Sequence, residues 1–159
     1  MKEIKAPNRE KLNFKKAVFL AGSIEMGTAE DWQTKIVKDL YTQSIAIYNP
    51  RRDDWDSSWV QDINNPNFYE QVNWELDKLD ESDIIFMYFD PDTKSPISLL
   101  ELGLYADKCG SDVWRKDMIV CCPQGFWRKG NVDIVCQRYG IPVFDNLETA
   151  LVALKAKLS

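Results

Sequence analysis

The chain of 159 residues contains no histidine, which removes the usual general base near neutral pH and the commonest ligand of a catalytic metal. Acid–base chemistry therefore falls to carboxylates and tyrosines. The carboxylates spaced for it lie in Asp83 to Asp107, DIIFMYFDPDTKSPISLLELGLYAD. Asp90 and Asp92 stand in a polar loop with two prolines. Glu101 follows in a helical pattern, four residues after Ile97, on the apolar stripe of Ile97, Leu100 and Leu104. A carboxylate just past the C-terminal end of a central parallel strand sits where open α/β sheets place their ligands. The plainer alternative is an early-helix glutamate favoured by the helix dipole.

The elements that must position these groups alternate along the chain. Ala17 to Ala21, Ser44 to Tyr48, Ile84 to Phe89, Met118 to Cys122 and Ile141 to Phe144 read as strands. Helical patterns cover Ala29 to Thr42, capped by Thr28, then Phe68 to Leu79, the Glu101 segment, Asn131 to Arg138 and Leu147 to Leu158. Strands separated by helices imply right-handed crossovers, hence an α/β fold: a three-layer, doubly wound parallel sheet of five strands, flavodoxin-like in order 2-1-3-4-5. Its switch point would bring Gly22 and Ser23 opposite Asp90, Asp92 and Glu101.

The length suits one domain, here residues 16–159 after a loose basic lead-in over 1–15. With 45% hydrophobic and 28% charged residues the chain reads as globular. A net charge of -5 and a pI near 4.8 exclude a phosphate-backbone binder, so nucleic acid is not an expected partner. No apolar run reaches a membrane span, and the N-terminus lacks a signal-peptide core. Cys109, Cys121, Cys122 and Cys136 match neither zinc nor redox spacing, which points to buried thiols in the cytoplasm.

Three further groups qualify as binding residues. The turn Ala21-Gly22-Ser23-Ile24-Glu25-Met26-Gly27 lets backbone approach a ligand, though it lacks the dinucleotide fingerprint and a Walker lysine; neither a nicotinamide cofactor nor ATP is expected. In the segment after the second strand, RRDDWDSSWVQDINNPN, Trp55 or Trp59 could stack on a flat base while Arg51, Arg52 and the aspartates bond its edge. Both stretches also read as an ordinary turn and a solvated loop. Glu75 shares the expected inward face of Val72, Leu76 and Leu79.

AGSI after the first strand, NPRRDDWD after the second, QVNWELDKLDESDIIF, SPISLLELGLYA and FWRKGNVDIVCQRYGIPVF together resemble the nucleoside 2-deoxyribosyltransferase family, over most of Val18 to Phe144. The resemblance implies a cofactor-free, metal-free enzyme. It would exchange the base of a 2′-deoxyribonucleoside for a free nucleobase, and assemble as a homo-oligomer, dimer or hexamer, with shared sites. Glu101 matches the nucleophile, with Asp90 and Asp92 the nearby carboxyls for protonating the base; Glu75 matches an aspartate, and Asn131 an asparagine given by a neighbouring subunit. Departures are Phe19 for a positioning tyrosine, which Tyr48, Tyr88 or Tyr105 would have to replace, Ser95 for a base-binding aspartate, and Glu25 for the arginine of relatives that hydrolyse deoxynucleoside monophosphates. A carboxylate at that turn disfavours a phosphate, so a neutral nucleoside is the expected substrate. Hydrolysis of the same bond, or a non-catalytic nucleotide-sensing module, are the rival readings.

Overall fold

In the computed structural model, which describes residues 1–11, 13–24, 29–111 and 113–159, the strands form one all-parallel sheet in the order β1-β3-β2-β4-β5-β6. The strands are β1 (Lys2–Lys5), β2 (Ala17–Gly22), β3 (Ala46–Asn49), β4 (Ile84–Tyr88), β5 (Asp117–Cys121) and β6 (Val143–Phe144). The five expected strands keep their flavodoxin-like order. The correction is a sixth: the lead-in is not loose, because Lys2–Lys5 pairs in parallel with Ala46–Asn49 and buries Ile4 at the sheet edge. One apolar side chain in a run of charges was too little signal to mark a strand.

The helices are α1 (Trp32–Asp39), α2 (Pro66–Glu81), α3 (Pro96–Ala106), α4 (Lys129–Tyr139) and α5 (Leu147–Leu158). Asp31 caps α1 through the Thr34 amide, Asn65 caps α2 ahead of Pro66, and Asn146 caps α5. The expected cap Thr28 lies outside the described residues. Strands β2 and β4 are apolar and buried on both faces. On one face Val18, Leu20 and Phe86 pack with Trp32, Ile36, Ala150 and Leu154 of α1 and α5. On the other, Phe19, Ile85 and Met87 pack with Trp74, Leu102, Tyr105 and Val132 of α2, α3 and α4. Burying each large side chain contributes about 1.5–3 kcal/mol. Among the described residues no helix is long and apolar enough to cross a membrane.

The chain leaves β2 for α1 on one face and β4 for α3 on the other, so a crevice opens between their C-terminal ends. Two inward faces differ from expectation. On α2 the buried residues are Gln71, Trp74, Lys78 and Leu79, while Leu76 is 37% exposed. On α3 they are Ser98, Glu101, Leu102, Tyr105 and Ala106, whereas Ile97, Leu100 and Leu104 are 58%, 59% and 49% exposed. Glu101 thus lies opposite the apolar stripe instead of on it.

Candidate active site

At the crevice, Gly22 approaches β4 so closely that a Cβ would stand 2.1 Å from the Tyr88 carbonyl oxygen, and its φ of +132° is itself a glycine conformation. Ser23 then ties the two strand ends together. Its amide donates to the Tyr88 carbonyl (2.9 Å), its hydroxyl accepts from the Asp90 amide (2.9 Å), and its Oγ lies 2.8 Å from Thr93 Oγ1 and 2.5 Å from Ser95 Oγ. Ser95 completes this hydroxyl knot in a left-handed conformation (φ 44°, ψ 54°) and launches α3. Such a conformation costs a non-glycine residue roughly 1–3 kcal/mol and gathers at functional sites. Gly22, Ser23 and Ser95 therefore build the wall of the crevice, and their hydroxyls are engaged with one another. Buried Asp90 accepts from the Asp92 amide (2.9 Å), and Asp92 stands exposed at the rim.

Just over one turn into α3, Glu101 is 8% exposed, and among the described residues nothing donates a hydrogen bond to its carboxyl. Burial, and then the charge of Glu75, hold its pKa well above the ordinary carboxylate value. Glu75 reaches the same place from α2. Its residue surface is only half-buried, but protein surrounds the carboxyl on most sides, and that enclosure governs desolvation; the pKa is pushed up to about 7, against a hydrogen bond from Gln71 (2.7 Å) that pulls it down. Two buried carboxyls with, among the described residues, no cation acting on either are costly to a fold and typical of sites that move protons.

After β3, the two arginines diverge. Arg52 is buried and held internally: Asp54 accepts from its Nε and Nη2 at 2.8 and 2.9 Å, and it lies 4.9 Å from the Trp59 ring centre. Trp59 in turn meets Trp55 edge-on at 5.0 Å. Arg51 keeps buried Nε and Nη2 nitrogens without hydrogen bonds, its Nε 3.6 Å from Asp31 at the start of α1. The Gln33 carboxamide on α1 is likewise buried and unbonded.

Asn131 is exposed and lines a groove of about 330 Å³ between α3 and α4 with Leu99, Leu102, Gly103 and Arg128. The tyrosines do not reach Glu101 with a hydrogen bond: Tyr105 donates to Asp80 (2.9 Å), Tyr88 packs on Trp32 across the sheet, and Lys78 covers the Tyr48 ring. Buried Phe19 packs against Trp74. Glu25 lies outside the described residues. Among the described residues, no cluster of three or more metal-ligating side chains occurs. The sequence carries little signal for Gln71 or Thr93: for Gln71 it is the place four residues before Glu75.

A family model described as nucleoside 2-deoxyribosyltransferase like matches residues 15–126, well over half of the chain. No curated protein matches it.

Proposed function

Because the chain belongs to the nucleoside 2-deoxyribosyltransferase-like family, we propose that it exchanges the base of 2′-deoxyribonucleosides by double displacement through an ester of Glu101. The observation that carries this reading is a buried carboxyl, with a second carboxyl beside it and, among the described residues, no cation acting on either, on the inward face of the helix that follows the switch-point strand β4. Departure of the base leaves positive charge on the anomeric carbon, and the Glu101 carboxylate captures it on one face of the sugar. A second base attacks the ester from the other side, so the configuration is retained. Asp92 and Asp90, at the rim and wall, are the groups assigned to protonating the departing base. Arg51, with its unbonded nitrogens, and Trp55 would bind the base, and Gly22, Ser23 and Ser95 shape the wall. Arg52 contributes by holding the segment.

The exposed α3 stripe and the outward Asn131 support a homo-oligomer in which one subunit's Asn131 serves its neighbour's sugar. Incubation with deoxyinosine and free adenine, followed by chromatography, tests the function: new deoxyadenosine is expected. Free hypoxanthine and deoxyribose alone would assign hydrolysis instead, and binding without turnover would assign a sensing module.

A further inference from the structure

Gln71 links the segment after β3 to the carboxyl pair. It is 4% exposed, and its Nε2 donates to the Pro50 carbonyl (3.0 Å) and to Glu75 Oε1 (2.7 Å). Its Oε1 faces Arg52 Nη1 at 3.5 Å, a long contact that orients by charge. Turning the carboxamide over would set its oxygen against a carbonyl and a carboxylate, and its NH₂ against a guanidinium, so the network fixes its orientation. Arg52 is itself held by Asp54, by Glu70 at 3.7 Å and by the Trp59 ring.

We propose that Gln71 is a positioning residue: it holds Glu75 by one carboxylate oxygen so that the other accepts the proton of Glu101 and ionises the nucleophile, with Arg52 fixing the carboxamide. The proposal rests on the glycosyl-transfer reading of Glu101. In this scheme the Gln71 amide, by donating to Glu75 Oε1, favours the charge on Glu75 and so leaves the shared proton on Glu101. Proton transfer leaves Glu101 anionic and Glu75 neutral; a Glu101 oxygen then bonds to the anomeric carbon as the bond to the base nitrogen breaks, its electron pair going to that nitrogen. The departing base takes its proton from the carboxyls assigned to it, Asp92 or Asp90, Glu75 keeps the proton of Glu101 until the second displacement frees that carboxylate, and one negative charge persists throughout.

Few charged groups bear on the pair. From α2 it meets Gln71, from α3 Tyr105, whose hydroxyl is bonded to Asp80, and from the segment after β3 the Pro50 carbonyl with Arg52 behind Gln71. Burial raises both carboxyls, and among the described residues the Gln71 amide is the influence that lowers Glu75.

The test is the pH dependence of kcat/KM in Gln71→Met and Gln71→Glu. Loss of the donor raises Glu75, so the acidic limb should move to higher pH by about one unit for methionine, leaving activity about tenfold low at pH 6 and largely restored above the new limb. Gln71→Glu, which adds a like charge, should move it further. Carbon NMR titration of the Glu75 carboxyl, read without substrate, should shift by the same amount. Should these variants fail to fold, Arg52→Met releases the carboxamide and should move limb and titration in the same direction. Activity lowered equally at every pH, with an unmoved carboxyl titration, overturns the proposal alone. A wild type that turns over no deoxynucleoside overturns the glycosyl-transfer reading and this proposal with it.

Discussion

Helices α3 and α5 are of similar length and carry four leucines each, yet they turn opposite faces to the protein. On α5 the buried positions are Ala150, Leu151 and Leu154, as an apolar stripe predicts. On α3 the aliphatic side chains Ile97, Leu100 and Leu104 look outward, and a serine, a glutamate and a tyrosine are among those turned in. The core tolerates this because Leu102, Tyr105 and Ala106 on the same inward face still supply the packing. Neighbouring α2 shows the same inversion, with Gln71 and Lys78 buried and Leu76 at the surface. Local disagreement between pattern and burial is where function is expected.

The comparison breaks most visibly with one truncation on each helix. Glu101→Ala should lower base exchange by about a thousandfold or more while the protein stays folded, because the covalent route is lost and a costly buried carboxyl goes with it. Leu154→Ala on α5 should leave the chemistry intact and cost about 2–5 kcal/mol of stability, since Leu154 is fully buried between α5 and the sheet. Kinetics and denaturant unfolding of both variants read the contrast; near-normal turnover in folded Glu101→Ala removes α3 from the chemistry.

A pH-dependent contrast sharpens it. Glu75 is raised from the ordinary 4.5 to about 7. Between those values the unfolded chain has lost the proton that the folded chain keeps, so this group's contribution to stability falls as pH rises through the window and levels off above it. Glu75→Gln lacks that titration. Its melting temperature should exceed the wild type's by several degrees at pH 8 and lose that advantage at pH 4, measured by calorimetry. An equal difference at both pH values would mean that Glu75 titrates alike in the folded and the unfolded chain, and that its pKa is not raised by folding.

The sheet order was legible because β2, β4 and β5 are uninterrupted apolar runs and because Leu147 to Leu158 carries its own cap and stripe. Glu101, Ser95 and Glu75 were legible as positions through the resemblance. Their surroundings were not: the Ser23–Thr93–Ser95 knot joins residues about 70 apart, and no periodicity encodes such a contact. The inward faces of α2 and α3 were misassigned for the same physical reason, since hydropathy assumes that what is buried is apolar. β1 escaped because its single buried isoleucine is flanked by solvated lysines and a glutamate.

The smallest effect on the fold is expected at Leu100. It is 59% exposed on the outward face of α3, so Leu100→Lys should change the stability of the single chain by no more than about 0.5 kcal/mol. Three aliphatic side chains on one exposed helix face, next to the groove that holds Asn131, are suited to packing against a second copy. A lysine there buries a charge in that contact and should shift the chain to monomer in sedimentation velocity. On the proposal that Asn131 serves a neighbour's site, turnover should fall with it. Val152 on α5 is 69% exposed but stands alone, and Val152→Lys should change neither assembly nor turnover. A wild type that sediments as a monomer and is fully active would show that the outward stripe of α3 has no subunit to meet, and that Asn131 has no part in the site.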